Sequence, residues 1–143
     1  MSPDVCFDLS LNIDLHMQSM EKTNEKAIGG ITSGQIKLGE TVKWKARHFG
    51  LNFIMTSQIT ELIRPLRFTD QMIKGPFKYL RHQHIFEKTQ DGTVMTDLFD
   101  FRSPLGILGT IADKLILEKY LSRLLTKRNE WIKTTAEKLT NGL

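Results

Sequence analysis

Residues 77–102 read FKYLRHQHIFEKTQDGTVMTDLFDFR: two runs of period-two alternation flank Thr89-Gln90-Asp91-Gly92, a four-residue connection with the residue types of a hairpin turn. Pairing Lys88 with Thr93 across that turn sets every other register, because a strand's side chains change face at each residue. Phe86 then aligns with Met95, His84 with Asp97, His82 with Phe99 and Leu80 with Phe101, all on one mostly apolar face. The other face holds Arg81, Gln83, Glu87, Thr96 and Asp100, interrupted by Tyr79, Ile85, Val94 and Leu98, and is expected to meet solvent.

The same alternation extends upstream. In Thr41 to His48, the residues Val42, Trp44, Ala46 and His48 share one face, and Lys43, Lys45 and Arg47 the other. A tight connection at Phe49-Gly50 sets Leu51 opposite His48, and Phe53, Met55, Ser57 and Ile59 continue the inner face of the next strand. Arg64-Pro65 breaks that run. Arg67 to Lys74 resumes it with Phe68, Asp70 and Met72 on one side, and Gly75-Pro76 makes a further turn. Nearer the N-terminus, Val5 to Leu11 reads as a first strand. Asp14 to Ala27 reads as a helical stretch softly broken at Thr23 and Asn24 and ended by Gly29-Gly30, and Thr32 to Leu38 reads as a short second strand. Past the meander, Ser103-Pro104-Leu105-Gly106 ends the sheet. From about Leu108, Ile111, Leu115, Leu121, Leu124, Leu125 and Ile132 recur at helical spacing, which predicts an amphipathic helix of roughly thirty residues with a sheet as its partner. Residues 1–143 are thus expected to form one α+β domain.

Composition narrows the function classes. The 20 basic and 16 acidic residues are spread along the chain, and the densest basic stretch, at Lys127, Arg128 and Lys133, reads as a solvated helix face. No cluster of basic residues with stacking aromatics points to nucleic acid. Cys6 is the one cysteine, so no intrachain disulfide can form, which fits a reducing compartment. Asp4, Asp8 and Asp14 stand where a signal peptide would need a basic start, and no apolar run approaches the ~20 residues that span a bilayer; the expected location is cytoplasmic. Gly-rich phosphate loops, paired-cysteine zinc signatures and nucleophile elbows are missing, so no cofactor and no metal are expected. The chain is read as a monomer or a homodimer.

The order of a short N-terminal strand, short helices, antiparallel meander and long terminal helix resembles the helix-grip fold of the START-like superfamily, which spans START-like lipid carriers, the birch-pollen-allergen family and the polyketide cyclase/dehydrase group. The residues behind the resemblance are Gly50, Gly75-Pro76-Phe77, the run from Arg81 to Glu87, the run from Gly92 to Asp97, and Ser103-Pro104-Leu105-Gly106. The resemblance covers nearly the whole chain. It implies a curved antiparallel sheet wrapped around a long C-terminal helix, with a cavity between them for a small hydrophobic or amphipathic molecule such as a lipid, an aromatic compound or a polyketide. Fold alone does not say which.

The registers put polar residues on the apolar face. His48, Asp70, His82, His84 and Asp97 fall among Trp44, Phe53, Met55, Phe86, Met95 and Phe99, and these eleven are the candidate ligand-binding residues. Buried charges without partners cost several kcal/mol, so these groups must satisfy one another or meet water and ligand in a cavity. Four readings stay open: a hydrogen-bonded cluster that shapes the cavity; recognition of the polar end of an apolar ligand; acid/base catalysis of cyclisation or dehydration, with His84 as catalytic residue and Asp97 orienting it; and chelation by His82 and His84 with groups from other strands. Binding of a small hydrophobic ligand is the preferred function and a cyclase or dehydratase activity the alternative. His16, beside Met17 and Met20, is placed on the surface or a rim.

Overall fold

The computed structural model describes residues 1–104, 106, 111 and 113–141. Helix α1 (Pro3–Leu11) and helix α2 (Ile13–Ser19) lead through a 3-10 turn at Glu21–Thr23 into six strands: β1 (Lys26–Gly30), β2 (Thr41–His48), β3 (Leu51–Ile63), β4 (Arg67–Lys74), β5 (Tyr79–Lys88) and β6 (Thr93–Arg102). A π-helical turn at Asp113–Leu117 then opens helix α3 (Glu118–Asn141). The strands form one antiparallel sheet in sequence order. Bulges in β1 and in the β3–β4 pairing bend the strands and increase their twist, giving the sheet a concave face.

The meander follows the alternation in the sequence residue by residue. Lys88 pairs with Thr93, Phe86 with Met95, His84 with Asp97, His82 with Phe99 and Leu80 with Phe101; His48 pairs with Leu51. The turn between β2 and β3 forces Phe49 to a φ of 52° beside Gly50 at 76°, the paired left-handed conformation of a tight hairpin.

The N-terminal quarter of the chain differs from expectation. Val5 to Leu11 lies in helix α1: Pro3 stands in the first turn, where its missing N–H costs nothing, and the buried residues Phe7, Ser10 and Leu11 recur at three and four. The helical stretch stops at Ser19, Asn24 turns in the left-handed region at φ 49°, and residues 26–30, including Gly29-Gly30, form the edge strand β1. Gly30 is needed there, since a Cβ would collide with the Thr41 carbonyl oxygen. Thr32 to Leu38 is irregular, with a lone bridge from Gln35 to Asn12, and buries Ile36 without ladder pairing.

Phe7 is fully buried, edge-on to Phe68 and Phe86 at ring separations of 5.5 and 5.4 Å. Helix α1 therefore plugs one end of the concave face, and burying that ring contributes roughly 1.5–3 kcal/mol. Helix α3 packs along α1 and α2 and buries Arg128, Ile132 and Ala136. Its expected first apolar positions face outward instead: Ile111 is 52% and Leu115 69% exposed. The π-helical turn accounts for Leu115, because one extra residue in a helical turn swings the stripe by about 100°. The expected helix start at Leu108 lies outside the described residues. None of the helices described is long and apolar enough to cross a membrane.

Candidate functional site

A cavity of about 410 Å3 lies between the concave face, helices α1 and α2, and helix α3. The sheet supplies Trp44, Phe53, Met55, Ile59, Phe68, Leu80 and Phe99, and α3 supplies Leu121, Leu124 and Leu125. Phe49 both lines the cavity and is 58% exposed, so the cavity reaches solvent at the β2–β3 hairpin.

Polar side chains interrupt the apolar wall, among them His16 with Glu25, Ser10, Asn12 and Ser57, and two groups of them carry histidines from the sheet. The first stands at that hairpin, where His48 Nδ1 lies 2.7 Å from the Tyr120 hydroxyl of α3. Burial lowers the His48 pKa below its ordinary value, with Glu25 pulling the other way, and burial raises that of Tyr120. The pair is therefore neutral near pH 7, a phenol and an imidazole able to exchange hydrogen bonds with a polar group inside the cavity.

The second is deeper and follows from the registers of three strands. Asp70 of β4 stands opposite His82 of β5, and His84 opposite Asp97 of β6. The hydrogen bonds run along the diagonals, which long side chains reach: His82 Nε2 to Asp97 Oδ1 at 3.0 Å and His84 Nε2 to Asp70 Oδ2 at 3.2 Å. The rings of His82 and His84 are 3.8 Å apart, and His84 also stacks on Phe68 at 4.2 Å. His84 Nδ1 sits 2.7 Å from Asp97 Oδ1 yet makes no hydrogen bond of acceptable geometry. From α3, Asn129 donates to Asp97 Oδ2, and Arg128 brings Nη1 to 3.9 Å from Asp97 Oδ1.

The electrostatics of this group are one-sided. Burial works to raise both carboxyl pKa values, but hydrogen bonds and nearby positive charge overcome it. His84, His82 and Arg128 hold Asp70 below its ordinary range; the hydrogen bond from His82 and the close His84 ring, with Arg128 behind them, hold Asp97 far below. Burial first and His84 next push His82 down to about 4, against the pull of Asp97 and Asp70. Two carboxylates thus stay ionised under a neutral His82 ring, with Arg128 as their fixed cation.

Trp44, His48, Phe53, Met55, Asp70, His82, His84 and Phe99 line the cavity. Phe86 does not: it is 1% exposed and belongs to the core around Phe7. Met95 and Asp97 face a second hollow between β6 and α3, bounded by Ser122, Leu125 and Asn129. Asp97 thus holds both histidines from behind, and neither His82 nor His84 forms an isolated pair with one carboxylate.

Three contributors lie outside the candidate binding residues read from the sequence. Arg128, expected on a solvated face, is 3% exposed. It stands four residues after Leu124 and four before Ile132, so the apolar stripe marked its position. Tyr120 lies one turn before Leu124 on the same stripe. His16, expected on the surface or a rim, is half-buried and lines the cavity; its Nε2 is 2.9 Å from Glu25 Oε1, and its ring lies 4.5 Å from that of Trp44.

No protein-family model matches the sequence, and no curated protein matches it significantly. Solved structures do match in shape. A Thermus thermophilus protein, TTHA0849, superimposes with a TM-score of 0.71 over 94% of this chain and 91% of its own, at 14% identity. The chain has the START-like helix-grip fold. The ginseng major latex-like protein 151 from Panax ginseng gives 0.70 at 15% identity over 94% and 89%, and Ara h 8.0201 gives 0.63 at 10% over 93% and 91%. At such identities the likeness establishes the helix-grip architecture and leaves the contents of the cavity to its own residues.

Proposed function

We propose that this helix-grip protein binds a small, mostly apolar molecule in the cavity between sheet and C-terminal helix, with the polar end of that molecule held by side chains of the wall. The observation that carries the reading is the cavity itself. Its volume of about 410 Å3 falls in the ~300–1,000 Å3 range of small-molecule sites. Its wall is largely apolar, with polar side chains that include His48 with Tyr120, His16 with Glu25, and Asp70 with His82 and His84.

In this reading Trp44, Phe53, Met55 and Phe99 supply apolar contact, and a flexible Met55 side chain lets the wall adjust to irregular shapes. Asp70, His82 and His84 orient the polar end, while Asp97 and Arg128 hold that group in place. The ligand class is a lipid, an aromatic compound or a polyketide-like molecule, all of which pair a large apolar body with few polar atoms.

Native mass spectrometry of freshly purified protein, followed by organic extraction, tests the reading. A stoichiometric apolar adduct that is released into solvent is the expected result. A clean apo mass, with no thermal stabilisation by a panel of lipids and aromatic polyketides, would reject it.

A further inference from the structure

We propose that Asp70, His82 and His84 form a binding site for a divalent first-row transition ion, with its open coordination positions turned into the cavity. One ligand atom from each residue lies within 4.8 Å of the other two. Asp70 Oδ2 is 3.2 Å from His84 Nε2 and 3.8 Å from His82 Nδ1. Ligands at about 2.0–2.1 Å from one tetrahedral ion stand about 3.3–3.4 Å from each other, so one distance already fits and the others need only modest turns of the side chains.

The remaining ring nitrogens carry the argument further. His82 Nε2 lies 3.0 Å from Asp97 Oδ1, and in the tautomer that puts the proton there Nδ1 offers a lone pair toward the Asp70 carboxylate at 3.8 Å. Two acceptors aimed at each other in a buried site call for a cation between them. His84 instead holds Asp70 through Nε2 and brings its unbonded Nδ1 to 2.7 Å from Asp97 Oδ1, so moving the ring proton to Nδ1 would free Nε2 for the ion and turn the N–H to Asp97. Asp97, fixed in turn by Asn129, thereby stands to His82 as outer carboxylates stand to metal-binding imidazoles, with His84 Nδ1 close by. Such partners fix the tautomer and raise the ligand's basicity.

Two imidazoles and one carboxylate suit Zn2+ or Fe2+ and disfavour Mg2+ or Ca2+, which require oxygen donors. Because all three ligands belong to adjacent strands and line the cavity, a bound ion would present its free positions to whatever polar group enters. The site needs no apolar ligand to form, so the inference is tested independently of the cavity's occupant.

The test is titration of the chelator-treated, full-length protein with Co2+, followed by its visible absorption, and with Zn2+ in parallel by calorimetry. One equivalent binding with a tetrahedral or five-coordinate cobalt spectrum is expected. Asp70→Asn, His82→Gln and His84→Gln should each abolish it. Asp97→Asn, which keeps the volume but weakens the outer carboxylate, should lower affinity by about 10–100-fold. Glu61→Gln, on the other sheet face, should leave binding unchanged. Where a variant does not fold by circular dichroism, paramagnetic broadening in the wild type replaces it: Co2+ should broaden ring signals of Phe68 and Phe99 before those of Trp131. Absence of stoichiometric Co2+ and Zn2+ binding, binding that survives His84→Gln in folded protein, or broadening centred elsewhere would overturn the site.

Discussion

His48 lines the cavity at the β2–β3 hairpin and His82 and His84 line it deeper in, and the two environments differ in one respect. At the β2–β3 hairpin, His48 meets a phenol, and the pair is neutral and close to solvent. Beneath Phe99, His82 and His84 meet two carboxylates that remain ionised, with Arg128 and Asn129 of α3 closing the group from the far side. Neutral partners leave a histidine free to serve a ligand, whereas buried carboxylates bind the strands and α3 into one electrostatic unit. The hairpin end is therefore the adaptable one, and the deep group is the one whose removal is felt through the fold.

The largest effect is expected from the deep group. Asp97→Ala leaves the His82 N–H, the Asn129 amide and the Arg128 guanidinium facing an empty space, and breaking such a buried arrangement costs about 3–5 kcal/mol. Chemical denaturation should show the midpoint falling with little change in slope. A cost under 1 kcal/mol would mean that Asp97 is not the hub described here.

Acid comes next. His82 is held down to about 4 from an ordinary 6.5, so between those values the unfolded chain binds a proton that the folded one refuses, and stability falls as pH falls. That interval corresponds to a loss on the order of 3 kcal/mol. His48 acts in the same direction, being depressed by burial as well. Unfolding free energies measured from pH 7 to pH 4 should decline throughout the interval, and a flat profile would contradict the neutral burial of both rings.

The smallest effect belongs to the hairpin end. Tyr120→Phe removes one hydrogen bond to His48 and should cost about 1 kcal/mol, with the denaturation slope unchanged. The same variant should weaken binding of an apolar probe only slightly. An effect as large as that of Asp97→Ala would erase the distinction between the two ends.

The sequence announced the deep group and hid its support. Residues 77–102 fixed the facing of His82, His84 and Asp97 because a short turn and strict period-two alternation leave one register, and Asp70 followed from the same parity in β4. Arg128 was hidden because a basic residue between Lys127 and Asn129 reads as solvated, although its spacing from Leu124 and Ile132 placed it on the buried stripe. The N-terminus misled for another reason: over seven residues, Val5 to Leu11 satisfies both a two-residue and a 3.6-residue period, and only packing of Phe7 against Phe68 and Phe86 decides for the helix. Gly29-Gly30 read as a helix stop because the close approach of Thr41 that requires a glycine is a tertiary contact. The cavity was foreshadowed by fold resemblance; that Phe86, Met95 and Asp97 lie outside its wall depended on how α1 and α3 divide the concave face.

The most direct measurement is saturation binding of a neutral apolar fluorophore such as 1-aminoanthracene to the wild type and to Leu124→Trp, whose larger ring fills the cavity from α3. The account predicts one saturable site in the wild type and its loss in a variant that still unfolds cooperatively. Failure of the wild type to bind, or equal binding by a folded Leu124→Trp, would contradict it.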